Sequence, residues 1–395
     1  MIASWISFII IIGLVMILSK YELGIVLTIG ALFFALLANV NILQSLTAVL
    51  TDPSILILIS VMILVPILGG IMEESGLMME MIQKMRISKK ASLMMIPALF
   101  GLLPVPGGAL MSAPIVHQID SEEEATIKVA INVWFRHMLI IVYPLSSSLI
   151  LSSFLTGINL YVLVISLFPG LILMWIIGYI ILVKSISPFS EQGERDLKRA
   201  FHNLLPILIA PVLDFIGRTF FDFSVPEIFL LIGMFFSIWL ALRFSKMNFF
   251  NIKIISKKMK LWRFPLIMFS MFLFLEIFVH SGAPEEIASM NLSVFLLILI
   301  GFFLGFATGR IQLPVSIIFP IYLAPISVLS MSLVDFTFIY TSISLGYLIT
   351  PLHPCVAYST EYFKTDFIKV VKVLGKPILI SFVLLLGLYG IILIS

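Results

Sequence analysis

Charge is what this sequence has least of. Asp, Glu, Lys and Arg supply 11% of its 395 residues, where soluble domains carry roughly a quarter. An ordinary soluble globular fold is thereby excluded. Cysteine is almost absent: Cys355 stands alone, so no intramolecular disulfide forms. The patterns HExxH, GxSxG, the Walker A loop and paired CxxC are missing. Metal binding, ATP hydrolysis and nucleotide binding are therefore not expected, and no cofactor is. No polar stretch is long enough to build a soluble domain. The net charge of +3 is spread over loops, which leaves no basic patch for nucleic acid. The opening MIASWISFIIII lacks a basic n-region and a clear cleavage site. It is expected to be a first span rather than a signal peptide.

What is present is apolar. Hydrophobic residues make up 61% of the chain, with a mean hydropathy of +1.18. The expectation is an all-α polytopic membrane protein of about ten transmembrane helices, each near the length that crosses a bilayer. Apolar spans are expected at 2–19, 23–40, 54–71, 125–155, 160–184, 203–219, 227–244, 264–280, 330–358 and 377–395. Two further segments, 91–116 and 291–322, are apolar but interrupted. In GLLPVPGGALMSAPIV (101–116), Pro104, Pro106 and Pro114 lack backbone donors, and Gly107 and Gly108 allow a tight turn. Both segments read as re-entrant hairpins. Irregular backbone at membrane depth survives only beside protein or a water-filled cavity, and transporters bind substrate at such breaks.

Charge placement agrees with this reading. Every Lys and Arg except Arg136, Arg218 and Arg310 falls in segments that the spans put on one side, while the opposite loop GAPEEIASMN is acidic. The positive-inside rule makes the basic side cytoplasmic and puts both termini outside. The expected location is the cell (cytoplasmic) membrane, with the lipid bilayer as partner.

The two halves repeat in order and punctuation. Ser112 aligns with Ser316, and YPLSSS (143–148) with TPLHPC (350–355). An odd number of crossings per half makes the repeat inverted. The first repeat is 1–184, with a scaffold part at 1–71 and hairpin and transport helices at 91–184. A cytoplasmic linker follows at 185–202. The second repeat is 203–395, with scaffold 203–280 and hairpin and transport helices 291–395. The arms at 72–90 and 281–290 would be hinges.

Candidate site residues cluster at the breaks. Pro144, Pro351 and Pro354 each remove a helical hydrogen bond and free carbonyls. The hydroxyls of Ser146, Ser147 and Ser148 can serve that backbone or a ligand. Helix N-termini at such breaks favour anions. Arg136 and His137 lie ~12–14 Å into the membrane by helical rise from Lys128, where a charge is costly and faces a cavity or a partner. The expected substrate contacts are Pro106, Gly107, Gly108, Ser112, Arg136, Ser146, Ser147, Arg310, Ser316 and His353. His137, His353 and Glu276 are the candidates for proton or ion coupling. Structural roles compete at each position: kink-satisfying serines, a snorkelling Arg136, a satisfied His353. Asp214 and Arg218, four apart, read as a local ion pair.

GLLPVPGGALMSAPIV, NVWFRHML with YPL after it, and GYLITPLHPCVAYSTEYF together resemble a prokaryotic membrane family of unassigned function. This is domain-of-unknown-function family 401, grouped in the ion transporter superfamily with gluconate and dicarboxylate permeases. The resemblance covers nearly the whole chain. It implies a homodimer, with a scaffold and a moving transport domain that carries both hairpins. Dicarboxylate members carry Ser-Asn-Thr motifs at the hairpin tips; here PVPGG and TGRIQ stand there.

The function expected is secondary active transport of a small organic anion, a carboxylate or sugar acid. H⁺ or Na⁺ would drive it, by elevator-type alternating access. An intramembrane enzyme on a lipid-soluble substrate and a gated anion channel are the alternatives; an enzyme would need convergent acid–base groups, and the sequence scatters them.

Overall fold

A chain this apolar satisfies its backbone within each segment, and helices are the result. The computed structural model describes all residues except 1–2, 19–20, 86, 103–107, 188–195, 246, 291, 324–330, 351 and 395. Among the described residues every regular element is helical. The first half holds α1 (Ser4–Leu18), α2 (Leu23–Leu37), α3 (Ile42–Thr51), α4 (Pro53–Glu74) and α5 (Leu77–Met85). It continues with α6 (Lys89–Gly101), α7 (Gly108–Ile119), α8 (Ala125–Arg136), α9 (Met138–Ile141), α10 (Ser147–Thr156) and α11 (Leu160–Gly178). The second half holds α12 (Leu197–Phe220), α13 (Glu227–Ser245), α14 (Phe249–Met259), α15 (Arg263–Val279) and α16 (Ala283–Ala288). It ends with α17 (Val294–Thr308), α18 (Gln312–Leu323), α19 (Leu333–Ile349), α20 (Pro354–Tyr362) and α21 (Phe367–Ile394).

Among the described residues, six helical stretches are long and apolar enough to cross a bilayer alone: Pro53–Glu74, Leu160–Val183, Leu197–Phe220, Glu227–Ser245, Leu333–Tyr362 and Phe367–Ile394. The pair Phe250–Lys258 and Arg263–Val279 qualifies only together, bent by 59°. The remaining expected spans are shorter or broken. Helices α1 and α2 have 15 residues each, below the ~20 of a straight crossing. Span 125–155 is divided into α8, α9 and α10. Segments 41–53 and 243–263, read as loops, contain α3 and α14. Helix α14 starts at a capping box between Asn248 and Asn251.

The joints match between halves. Gly76 (φ 75°) turns α4 into α5, and Gly282 (φ 74°) turns α15 into α16. Gly157 (φ 68°) and Lys364 (φ 50°) do the same before α11 and α21. Packing is exchanged in the same way. Helix α2 lies on α15 as α13 lies on α4, and α5 on α12 as α16 on α1. Helix α10 lies on α18 as α20 lies on α7, and α11 on α19 as α21 on α8.

The helices gather into two bundles, α1–α5 with α12–α16, and α6–α11 with α17–α21, whose principal junction is α18 against α15 and α16. In the second bundle α17 crosses α19 closely. A methyl group at Gly305 would overlap the Ile343 carbonyl, and one at Gly346 the Phe302 carbonyl, the small-residue crossing expected of membrane helices. Large apolar side chains stay exposed on outer faces, among them Ile17, Phe235, Trp239, Leu379 and Ile391. In a helical membrane protein these faces meet lipid.

Candidate functional site

Two spans of the second bundle are interrupted, one between α9 and α10 and one between α19 and α20. Between α9 and α10 the chain unwinds through Tyr143, Pro144 and Leu145. Ser146, the residue before α10, is extended (φ −66°, ψ 122°). Between α19 and α20, Thr350 (φ −76°, ψ 143°) and His353 (φ −79°, ψ 114°) are likewise extended. Neither Ser146 nor His353 caps its helix with a side-chain hydrogen bond, so the N-terminal amides of α10 and α20 keep their attraction for an anion. The turn at Gly309 (φ 62°) starts α18 and adds a third N-terminus.

These three termini border one cavity of about 720 Å³. Its walls on one side are Ser146, Ser147 and Ser148, the tip residues Thr308 to Gln312, and Tyr347, Leu352 and Pro354. Opposite stand Tyr21, Glu22, Met62, Val65, Arg263, Phe264, Ile267 and Met268. The cavity therefore lies between the two bundles. Arg263 pairs with Glu22 at 2.8 Å. Arg310 has no carboxylate within ion-pair distance among the described residues; Glu22 is the acid whose charge acts on it. Gln312 Nε2 donates to Ser147 Oγ at 2.6 Å and so ties the hairpin tip to the first break. Ser146 and Ser148 share a hydrogen bond at 2.9 Å, and Ser148 continues to the Tyr340 hydroxyl at 2.7 Å.

His137 lines the cavity and His353 lies directly behind it, with ring centroids 4.5 Å apart. Tyr347 packs on both, 4.0 Å from His353 and 5.4 Å from His137. His137 Nδ1 donates to the Val133 carbonyl at 2.6 Å. Arg136 is buried and does not line the cavity; its Nη1 has no hydrogen-bond partner. The turn holding it is fixed by Gly101, where any side chain would strike the Arg136 carbonyl. The donor atoms of His137, His353 and Cys355 lie within 4.8 Å of one another.

The structure thus brings together Arg310, Ser146, Ser147, His137 and His353. Ser316 is buried in α18 and donates to its own turn, to Leu313 O at 2.8 Å. Ser112 is buried in α7, and like Ser316 it is not part of the cavity wall. Glu276 pairs with His280 at 3.3 Å near the end of α15 and is likewise outside the wall. Pro104, Pro106, Gly107 and Pro351 lie outside the described residues, and Gly108 opens α7. The expected Asp214–Arg218 pair is present at 2.9 Å, with the Tyr161 hydroxyl donating to Asp214 at 2.9 Å.

Sequence reasoning missed the wall supplied by the first bundle. Glu22 and Arg263 sit at span ends, where a charge reads as a topology signal. Gln312 and Tyr347 were equally silent. The one available cue was that Gln312 follows the Gly309–Arg310 tip.

A search of curated proteins finds no match. The solved structure of MtrF from Neisseria gonorrhoeae, reported as illuminating a class of antimetabolite efflux pumps, is similar in fold. Its TM-score is 0.55 at 13% identity, over 87% of this chain and 82% of that one. The model of the family described as Protein of unknown function (DUF401) matches residues 2–392. With its matched length covering nearly every helix described above, the chain belongs to that family.

Proposed function

We propose that this protein is a secondary active transporter of a small organic anion, a carboxylate or sugar acid, driven by H⁺ or Na⁺. One observation carries the reading: Arg310, without a carboxylate partner of its own, joins three helix N-termini on a cavity between two bundles. A guanidinium and convergent amide dipoles in a partly dry cavity recognise a carboxylate. Ser147 and Gln312 would then orient the rest of the ligand.

The first bundle acts as scaffold and the second as the moving part, with α5 and α16 as the arms. The matched joints and exchanged packing support an inverted repeat, and with it alternating access about a site between the repeats. His137, facing the cavity, is the group we assign to proton coupling. The similar fold of MtrF makes export as plausible a direction as uptake, so transport is to be followed both ways. Two copies pair as a homodimer in this reading, which crosslinking in native membrane tests by size.

The test is a thermal-shift screen of small carboxylates, sugar acids and inorganic anions at two pH values, with and without Na⁺. Hits are then followed as flux in proteoliposomes. The expected result is stabilisation by at least one anion and flux that stops when the ion gradient is collapsed. Flux indifferent to the gradient would mean a channel. Chemical turnover of a ligand without flux would mean an enzyme.

A further inference from the structure

We propose that His137, His353 and Cys355 bind one thiophilic metal ion of the zinc(II) or copper(I) class where the two broken spans cross. This goes beyond the transport reading, and a metal held on His137 would exclude that residue from proton coupling. Three observations carry it. The three donor atoms lie within 4.8 Å of one another. A tetrahedral zinc site needs separations of about 3.3–3.8 Å, from bonds of about 2.0–2.3 Å. Binding would draw the three side chains closer together.

The second observation is the state of the two imidazoles. A carbonyl cannot donate, so the hydrogen bond from His137 Nδ1 to Val133 O at 2.6 Å fixes the proton on Nδ1. The lone pair is left on Nε2. This is the arrangement in which a backbone carbonyl orients a metal-binding histidine. His353 is fully buried, and neither ring nitrogen has a partner meeting hydrogen-bond geometry. The Leu348 carbonyl comes near without meeting it. A buried imidazole whose ring nitrogens lack a partner is costly, and a metal bond would satisfy one of them.

The third is the sulfur. Cys355 follows His353 by two residues, in the first turn of α20. The Arg136 guanidinium lies within interaction range of it. One thiolate with two imidazoles selects a soft or borderline ion over Mg²⁺ or Ca²⁺. Binding releases the thiol proton to water in the cavity, so affinity rises with pH.

Purified full-length protein, stripped with a chelator, is titrated separately with Zn²⁺ and with Cu⁺ against a chromophoric competitor. The expected stoichiometry is one ion per chain. Metal should also protect the Cys355 thiol from maleimide. Cys355→Ser and His353→Gln should each weaken binding by more than about tenfold. Wild-type protein that binds no stoichiometric ion, or whose thiol labels equally fast with metal present, overturns the site. So do folded Cys355→Ser and His353→Gln variants that bind as wild type does. The wild-type arms decide even if a variant fails to fold. Loss of metal binding would leave the anion screen untouched, and failure of the anion screen would leave this site standing.

Discussion

Single side chains carry the recognition in this account, and Arg310 carries most of it. It faces a cavity whose acid, Glu22, pairs with Arg263 instead, so the hydrogen-bonding capacity of Arg310 is available to a ligand. A charged hydrogen bond contributes about 1.5–3 kcal/mol. Arg310→Ala is therefore expected to weaken the anion found by thermal shift roughly 10–100-fold, with little change in the melting point of the ligand-free protein. Unchanged affinity would remove Arg310 from the site. Asp214 is a different case. It is fully buried, paired with Arg218 at 2.9 Å and bonded by Tyr161 at 2.9 Å. Asp214→Asn takes from Arg218 its close partner, leaves Glu227 at 3.8 Å as the remaining acid, and replaces a buried acceptor of the Tyr161 hydroxyl. A loss of about 1–3 kcal/mol in unfolding stability is expected, read from denaturation in detergent. A loss under 1 kcal/mol, the size of an exposed pair, would show that the pair is solvated.

Whole helices hold the site through close crossings and docked arms. Gly346 lets α19 meet the backbone of α17 at Phe302. Gly346→Ala is expected to force the helices apart at a cost of about 1–3 kcal/mol, seen as a lower melting point and altered labelling of the cavity. Gly390, where an added methyl meets nothing, is the control and should tolerate alanine. The arm α5 docks on α12 through Glu80, which pairs with Arg199 at 2.8 Å and accepts from Asn203 at 2.9 Å. The hydrogen bond from Asn203, and then Arg199, hold the Glu80 carboxyl below its usual 4.5. A carboxylate depressed in the folded state contributes fully above its unfolded value. That contribution is lost as pH falls through the lower folded value. Amide protection in α5, taken relative to the intrinsic exchange rate at each pH, should therefore fall only below pH 4.5, and Glu80→Gln should abolish that acid limb. An arm equally protected at acid pH in wild type and variant contradicts the docking role.

At the scale of the whole molecule, the breaks were legible and their surroundings were not. Pro144, Pro354 and Gly309 stand at breaks, whereas Pro66, Pro114, Pro169 and Pro320 sit inside continuous helices, so proline points to a break without fixing one. Arg310, Ser146 and Ser147 could be named because they sit on those breaks. Glu22 and Arg263 could not, since a charge at a span end obeys the topology rule whether or not it faces a ligand. The pairing of His137 with His353 joins two distant spans, and no local pattern encodes it. Helices α3 and α14 escaped because they lie in short segments between spans, where no bilayer-length apolar run announces them. Bundle motion is the central claim. Leu352 tests it most directly, being 43% exposed and part of the cavity wall. A Leu352→Cys chain that also carries Cys355→Ser, so that only position 352 is labelled, is placed in oriented proteoliposomes and labelled with a membrane-impermeant thiol reagent from each side, before and after adding anion and an ion gradient. The account predicts that protection moves from one side to the other as ligand and gradient are changed. Labelling confined to one side under every condition, while flux continues, would contradict it.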